Sequence, residues 1–250
     1  MRFCVVNLGC KVNRVEADGF ERLLRAAGGE EVPESAADLI VVNTCTVTAE
    51  ADKKTRKAVR HALRANEQAR VEVTGCAAAI DAATFEAMDE RVEVVPKAAM
   101  TLWLEAWAKR GAGRATKATH GAVDVGAGST NCAHGAIDAS LGSSPWRQPH
   151  AQRTRVGVKV QDGCDNACTY CIVHVARGRA TSRPLHEVRA EVRALAQAGV
   201  REVVLSGINI GSYRWEGAGL AQLLQALLDD TAQLREPGKP ACRFRVSSIE

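Results

Sequence analysis

Short apolar runs alternate with longer helical patterns along most of the chain, and this alternation constrains the fold more than any other feature. In the first 110 residues it predicts four strand–helix units. The predicted strands are 3–8, 39–43, 71–74 and 92–95, and the predicted helices are 15–27, 49–66, 82–88 and 98–109. Parallel strands are connected through helices that cover the sheet. We therefore predict an α/β fold whose first domain, residues 1–110, is built on a parallel sheet.

The alternation stops at residue 111 and resumes after residue 152. Small residues and proline dominate residues 111–152, which we interpret as a Gly/Ala-rich linker or insertion. The last part of the chain predicts strands 156–160, 202–205 and 244–249 and helices 185–198 and 220–228. Three parallel strands do not close a barrel. We expect residues 153–250 to form an incomplete (βα) partial barrel with an uncovered last strand, which would leave the isolated chain poorly soluble or partly ordered there.

The composition and the first residues of the chain indicate in which cellular compartment the protein is expected. With 46% hydrophobic residues, a net charge of +4 and a mean hydropathy of −0.14, the chain is typical of a globular protein. No apolar run approaches the roughly 20 residues of a membrane span, and the opening MRFCVVNLGCKVN has no signal-peptide cleavage site. We expect a cytoplasmic protein without a membrane partner. Thiols stay reduced there, so the nine cysteines predict metal or redox chemistry instead of disulfides.

Three cysteines of the second half share a short loop after predicted strand 156–160. They form a CxxxCxxC motif at Cys164, Cys168 and Cys171. Three thiolates at this spacing can hold three corners of a cubane iron–sulfur cluster and leave one iron open for another ligand. The alternative is a zinc site with a distant fourth ligand, His174 or His186. The uneven spacing differs from the cysteine pairs of zinc ribbons and favours iron–sulfur.

A second set of cysteines, Cys10, Cys45 and Cys76, repeats at separations of 35 and 31 residues, about one strand–helix unit each. Each cysteine comes just after the carboxyl end of a predicted strand. Because these ends share one edge of a parallel sheet, the three residues can converge on one site. The alternative is that they are small buried hydrophobic residues. That is the interpretation we give to Cys4 and Cys242, which lie within or at the start of a strand.

At these residues a family resemblance emerges. The motifs that carry it are LGCKVN at 8–13, VVNTCTVTAEADKKTRKAVR at 41–60, VTGC at 73–76, VKVQDGCDNACTYCIVHVARGRATSRP at 158–184, SGINIGSY at 206–213 and RVSSIE at 245–250. The chain resembles the radical S-adenosylmethionine (SAM) methylthiotransferases, most of all the branch that modifies threonylcarbamoyladenosine at position 37 of tRNA. Family members that act on a ribosomal protein differ around the first cysteine, where this chain has Lys11, Val12 and Asn13, and this favours tRNA.

The resemblance implies a division of labour between the two cysteine sets. Each would hold a 4Fe-4S cluster: the 164–171 set would bind SAM, and the 10, 45 and 76 set would hold or deliver the sulfur of the methylthio group. SAM would serve as methyl donor and as radical source for reaction at C2 of the adenine. The resemblance also implies cofactor contacts for Tyr170, against adenine, and for Asn209. Arg177 would contact the cofactor carboxylate or an RNA phosphate. The alternative for Tyr170 is a core contact, and no catalytic side chain is assigned beyond the cysteines.

The implied partners are the tRNA anticodon loop, an electron donor such as flavodoxin or ferredoxin, and a sulfur donor. Residues 50–66 and 151–183 each carry six basic and two acidic side chains, which fits RNA, although solvated helix faces look the same. Family members continue past residue 250 with further barrel strands and a small RNA-binding β-barrel, so we expect a truncated chain. The alternatives are an inactive iron–sulfur or RNA-binding fragment, or a methylthiotransferase for isopentenyladenosine tRNA or a ribosomal protein.

Overall fold

Two parallel β-sheets, one in each half of the chain, form the framework of the molecule. The computed structural model describes residues 1–46, 49–109, 155–234 and 242–247. The whole of the predicted linker at 111–152 and the end of the predicted strand 244–249 lie outside these ranges. The predicted α/β class is confirmed, since every strand pair within both sheets is parallel.

The N-terminal sheet has five strands in the order β2-β1-β3-β4-β5. Its strands are β1 (Arg2–Asn7), β2 (Glu30–Glu31), β3 (Leu39–Thr44), β4 (Arg70–Gly75) and β5 (Val92–Val94). The helices between and after them are α1 (Lys11–Ala26), α2 (Ala49–Ala65), α3 (Cys76–Ile80), α4 (Ala82–Glu86) and α5 (Met100–Lys109). This order makes β3 the central strand, and its register with β1 pairs Val41 with Val5.

Burial on both faces explains the run of four apolar residues, Leu39–Val42, that begins β3, and all six residues of the strand are buried. Alternate side chains point to opposite faces of a strand. Ile40 and Val42 pack into one core cluster with Val59 of α2, whereas Leu39 and Val41 pack into another. The sheet is therefore covered by helices on both sides, as the sequence pattern predicts.

The helix predicted at 220–228 continues to Gln233, five residues past its predicted end, and two helices beside the first cysteine set also differ from their predicted limits. Helix α1 begins at Lys11, four residues before the predicted start, because extended backbone at Cys10 caps it. The predicted helix 82–88 is preceded by α3, a separate helix that starts at Cys76 directly after β4. Gly75 makes this sharp turn with a φ of +97°, a conformation that side chains other than glycine rarely adopt.

The second sheet has three strands in the order β12-β9-β6. They are β6 (Val156–Lys159), β9 (Glu202–Ser206) and β12 (Arg243–Val246), and they are covered by α7 (Leu185–Gln197) and α8 (Leu220–Gln233). Two small antiparallel pairs join β7 (Gln161–Asp162) to β8 (Thr181–Ser182) and β10 (Arg214–Trp215) to β11 (Ala218–Gly219). A short helix α6 (Val173–Arg177) follows the cysteine loop. No described helix has the length and apolarity needed to span a membrane.

The two halves of the chain are in direct contact. Helix α1 packs on strand β6 at Gly157, where a Cβ atom would lie 2.4 Å from Cγ2 of Val15. Helix α3, which begins at Cys76, lies against α6. These contacts bring the carboxyl edge of the first sheet beside the cysteine loop of the second half.

A candidate metal centre where the two sheets meet

Cys10, Cys45 and Cys76 follow β1, β3 and β4, which are adjacent strands of the first sheet. The structure therefore brings all three to the same edge, as their placement after strand ends predicts. Cys45 and Cys76 are buried, and Cys10 is exposed. Burial as a small hydrophobic residue, the alternative considered from the sequence, is wrong for Cys10.

Buried amide and hydroxyl groups fix the loops that carry these cysteines. Asn13 Nδ2 donates to the carbonyl oxygen of Thr44 at 2.7 Å, and Asn43 Nδ2 donates to the carbonyl oxygen of Asn13 at 2.9 Å. Thr44 Oγ1 donates to the carbonyl oxygen of Thr74 at 2.6 Å and accepts from the Ala78 amide at 3.1 Å. Because buried polar groups are costly unless paired, these bonds hold the three strand ends in one arrangement.

The second cysteine set lies on the loop between β7 and α6. Cys164, Cys168 and Cys171 are all partly exposed. The loop is closed by Asp165, whose Oδ1 accepts from the Ala180 amide at 3.1 Å and from Nε of Arg179 at 3.2 Å. A further backbone bond of 3.1 Å runs from the Cys164 amide to the Gly178 carbonyl. These bonds tie the start of the loop that carries the three thiols to the residues that follow α6.

The donor chemistry of both sets fits an iron–sulfur cluster. Within the described ranges no three His, Cys, Asp or Glu side chains converge on a single metal ion. A cubane cluster does not require such convergence, because each thiolate ligand binds a different iron atom. Of the two histidines considered as zinc ligands, His186 is exposed, and His174 Nδ1 is buried without a hydrogen-bond partner. Which metal is bound stays a prediction.

The loop after β9 approaches the second cysteine set through Gln161. Gln161 Oε1 accepts from the amides of Ile208 and Asn209, both at 2.9 Å, and its Nε2 donates to the carbonyl of Gly163 at 2.7 Å. Asn209 Oδ1 is buried and has no hydrogen-bond partner, so it is available to a ligand. Sequence analysis missed Gln161, since a glutamine in a strand has no distinctive local signal.

Tyr170 lies within the cysteine loop and is 91% exposed. The alternative interpretation, that it is an ordinary core residue, is therefore wrong. A flat aromatic side chain exposed beside three thiols agrees with the expectation that it contacts a ligand. Its contact with adenine stays a prediction.

Arg177 occupies a position that the sequence did not indicate. Its side chain is only 1% exposed, and Nη1 lies 2.8 Å from Asp162 Oδ1 and 3.2 Å from Glu16 Oε1. Nε donates to Cys76 Sγ at 3.2 Å, and Nη2 donates to Asn13 Oδ1. The guanidinium therefore reaches from the second half of the chain to the first cysteine set. Its predicted contact with the cofactor carboxylate or RNA phosphate stays untested beside these protein partners.

Two lysines complete a buried charged cluster around the same carboxylates. Lys97 Nζ lies 2.6 Å from Glu16 Oε1 and 3.1 Å from Asp162 Oδ2, and Lys159 Nζ lies 2.8 and 2.9 Å from the same two atoms. We call these residues the interface charge cluster. Its members are Glu16, Lys97, Lys159, Asp162 and Arg177.

Attraction outweighs burial for most members of this cluster. Burial disfavours the charge of Glu16 and of Asp162, yet the neighbouring cations hold the pKa of both carboxyl groups below their usual values. Burial likewise opposes the charge of Lys159 and Arg177, but the two carboxylates raise the pKa of both groups. For Lys97, burial prevails and lowers the pKa. The carboxylates are therefore ionised at neutral pH.

Comparison with known proteins agrees with this architecture. Residues 2–96 match the family described as uncharacterized protein family UPF0004, and residues 158–246 match the radical SAM superfamily. Threonylcarbamoyladenosine tRNA methylthiotransferase MtaB of Chlamydia pneumoniae is 33% identical over 252 residues, which cover 99% of this chain and 51% of that protein. The protein of the same name from Bacillus subtilis is 34% identical, over 97% of this chain and 50% of its own length.

A relative with another printed name is nearly as similar. The tRNA-2-methylthio-N(6)-dimethylallyladenosine synthase of Sphingopyxis alaskensis is 32% identical over 98% of this chain and 52% of its own length. The chain thus spans about half the length of the curated relatives it matches.

Among solved structures, the radical SAM methyltransferase TsrM from Kitasatospora setae has a similar fold. With tryptophan and a SAM analogue bound, it aligns with a TM-score of 0.53 and 16% identity over 98% of this chain and 54% of TsrM. The fold and the CxxxCxxC loop define a radical SAM protein. With the match of the first half and the named relatives, the chain belongs to the radical SAM methylthiotransferase family.

Proposed function

We propose that this chain supplies the first two domains of an enzyme that adds a methylthio group to C2 of N6-threonylcarbamoyladenosine at position 37 of tRNA. The observation that carries the proposal is that the two cysteine sets lie on elements in contact. Cys76 is the first residue of α3, α6 begins two residues after Cys171, and these helices pack together. A sulfur source held by one set would then lie beside the chemistry that starts at the other.

In this proposal the residues of the second half bind and orient the cofactor. Cys164, Cys168 and Cys171 hold one 4Fe-4S cluster, which together with SAM would supply the electron, the radical and the methyl group when bound. The unpartnered Oδ1 of Asn209 accepts a hydrogen bond from the ligand, and Gln161 fixes the loop on which Asn209 lies. Tyr170 presents its ring to the adenine.

The first half would hold the sulfur source. We assign Cys10, Cys45 and Cys76 to a second 4Fe-4S cluster, because these residues are the thiols at the carboxyl edge of the first sheet. The partners that follow are a sulfur donor, an electron donor such as flavodoxin or ferredoxin, and tRNA. The reducing cytoplasm suits all of them.

A basic stripe on α2 supports an RNA partner. Its side chains are all exposed and are spaced four, three and four residues apart, which places them on one helix face. The stripe consists of Lys53, Lys57, Arg60 and Arg64. Thr55 Oγ1 donates to the carbonyl of Cys45 at 3.2 Å, so this helix is tied to the first cysteine set. Regularly spaced cations can contact successive phosphates of an RNA backbone.

The second candidate is methylthiolation of dimethylallyladenosine at the same kind of site in tRNA. The relative named for that product is 32% identical to this chain, close to the 33% of the first candidate's relative. Both substrates are modified adenosines, and they differ in the group on N6.

Anaerobic reconstitution tests the cluster assignment. We expect about eight irons per chain, about four after Cys164, Cys168 and Cys171 are changed to Ala, and about four after Cys10, Cys45 and Cys76 are changed. Reductive cleavage of SAM should be lost only in the first variant. The double variant C4A/C242A is the matched control and should keep all its iron. Zinc in place of iron would overturn the assignment.

Mass spectrometry of tRNA nucleosides tests the substrate. In a strain that lacks the gene, we expect threonylcarbamoyladenosine without its methylthio group, restored by the wild-type gene and not by a C168A variant. The C242A variant should restore it. Loss of the methylthio group from dimethylallyladenosine instead would establish the second candidate, and no change in either nucleoside would refute both.

A further inference from the structure

Arg177 links the two cysteine sets through a side chain that is almost entirely buried. It ends helix α6, six residues after Cys171, and its Nε lies 3.2 Å from the sulfur of Cys76 in the other half of the chain. Its Nη2 donates to Asn13, whose Oδ1 also accepts from the thiol of Cys10 at 3.7 Å. One guanidinium therefore reaches the loops of two of the three cysteines in the first set.

These contacts are separate from the ion pairs that hold the two halves together. Lys97 and Lys159 already join Glu16 to Asp162, at distances from 2.6 to 3.1 Å. Arg177 repeats those ion pairs through Nη1 alone. What Arg177 adds within the interface charge cluster is its pair of contacts with Cys76 and Asn13.

The balance of charges in the cluster also favours an interaction between Arg177 and a negatively charged sulfur. Three cations face two carboxylates, so one positive charge is not matched within the cluster. A cysteine sulfur bound to an iron–sulfur cluster carries negative charge, and Cys76 Sγ lies directly in front of Nε. Hydrogen bonds and positive charge at a ligand sulfur stabilise the reduced form of such a cluster and raise its reduction potential.

We infer that Arg177 is a positioning residue for the first cysteine set: it donates a hydrogen bond to the Cys76 ligand sulfur and raises the reduction potential of the cluster held there. This inference rests on the proposed function, because it requires that the first set hold a cluster. It assigns to the second half of the chain a direct influence on the redox chemistry of the first half.

The experiment uses the full chain with Cys164, Cys168 and Cys171 changed to Ala, so that only the first set can hold a cluster. Arg177→Gln removes the charge, and Arg177→Lys keeps the charge without the planar guanidinium. Lys97→Gln is the matched control, since it removes a cation of the same interface charge cluster whose contacts are with Glu16 and Asp162. Iron content, thermal unfolding and the reduction potential from an EPR-monitored titration are measured for each variant.

We expect R177Q to shift the potential to a more negative value, R177K to shift it less, and K97Q to lower the unfolding temperature with a smaller change in potential. Equal reduction potentials in the R177Q variant and its parent would overturn the inference, and so would equal shifts of the potential in R177Q and K97Q. In either case, iron retained by these variants would still support the proposed cluster. Absence of iron with Arg177 intact would instead refute the proposed second cluster, and the inference with it. If R177Q does not retain iron, R177K decides, and an unchanged potential there counts against the inference.

Discussion

The side-chain amide of Asn43 donates to the backbone carbonyl of Asn13 at 2.9 Å, across the carboxyl edge of the first sheet. Asn43 is the last-but-one residue of β3, two residues before Cys45, and Asn13 lies three residues after Cys10. Both asparagines are buried. This single bond therefore joins the loops of two cysteines that are 35 residues apart in the sequence.

Changing Asn43 to Ala should loosen this edge. The Asn13 carbonyl would lose a buried side-chain donor, and we expect the free energy of unfolding to fall by about 1–3 kcal/mol. Iron held by the first cysteine set should fall as well. Urea denaturation and iron analysis measure the two effects. Asn66→Ala is the control, because Asn66 makes the same kind of bond, 2.9 Å to the Ala37 carbonyl, away from the cysteines. An equal loss of iron in both variants would contradict the prediction.

Gly75 and Gly28 form a matched pair for a test of backbone geometry. Both have positive φ, +97° and +81°. A Cβ at Gly75 would lie 2.5 Å from the Thr44 carbonyl oxygen and 2.7 Å from its amide nitrogen, whereas nothing lies within 4 Å of a Cβ at Gly28. Gly28→Ala should cost about 1–2 kcal/mol through conformation alone.

For Gly75→Ala we expect the same conformational cost plus the overlap with the Thr44 backbone, for a further loss of about 1–3 kcal/mol. The displacement would act on Thr44, next to Cys45, so iron retention should also decrease. Chemical denaturation of both variants checks this. Equal stability of the two variants would show that the turn after β4 relaxes without cost.

The position of the first cysteine set could be predicted from the sequence, because it depends on a local pattern and one rule of sheet topology. Strand β3 begins with a run of four apolar residues, and parallel strands end at a common edge. The start of α1 could not be predicted, since its cap is Cys10 with no side-chain hydrogen bond, in place of the usual Ser, Thr, Asp or Asn. Capping signals are the main local indication of a helix start.

The interface charge cluster could not be predicted at all. Arg177 meets Cys76 across 101 residues of sequence and Glu16 across 161. No local periodicity indicates such contacts, and charged side chains in a sequence usually lie in solvent. Their burial follows from the way α1 and α3 of the first half pack on β6 and α6 of the second.

Acid should weaken the contact between the two halves. Because the pKa values of Glu16 and Asp162 are lowered in the folded protein, their contribution to stability is present at pH values above their unfolded-state pKa, near 4, and is lost as the pH falls through the lower folded values. We expect the unfolding temperature to begin to drop as the pH falls below about 5 and to keep dropping as the pH approaches the lowered folded-state pKa values.

The variant Glu16→Gln should be less stable than the parent at pH 7 by about 3–5 kcal/mol, because it leaves three buried cations facing the single carboxylate of Asp162. Its stability should also change less with pH over the acid range. Calorimetry at several pH values measures both effects. The exposed Glu86 provides the control, since Glu86→Gln should leave the loss of stability at acidic pH unchanged. If the stability of E16Q falls with decreasing pH as steeply as that of the parent, the interface charge cluster does not determine the stability in acid.

The basic stripe on α2 should contribute to RNA binding through phosphate contacts, whose strength depends on salt. Lys57 and Arg60 are adjacent exposed members of the stripe. The double variant K57Q/R60Q should lower the affinity for an anticodon stem-loop RNA. In a plot of the logarithm of the binding constant against the logarithm of the salt concentration, the magnitude of the slope should be smaller by about 1–2. Each phosphate contact contributes about 0.7–0.9 to this slope. Fluorescence anisotropy at four or five salt concentrations measures the slope.

The charge-matched control for this prediction is K109Q/R243Q, which removes two exposed cations outside the stripe. A general electrostatic attraction between a basic chain and RNA would change the slope equally in both double variants. Direct contact at the stripe requires the change to be confined to K57Q/R60Q, since contacts beyond a Debye length of about 8 Å are screened at physiological salt. Equal slopes in the two variants would therefore mean that α2 is an ordinary solvated helix face and that the RNA backbone lies elsewhere on the protein.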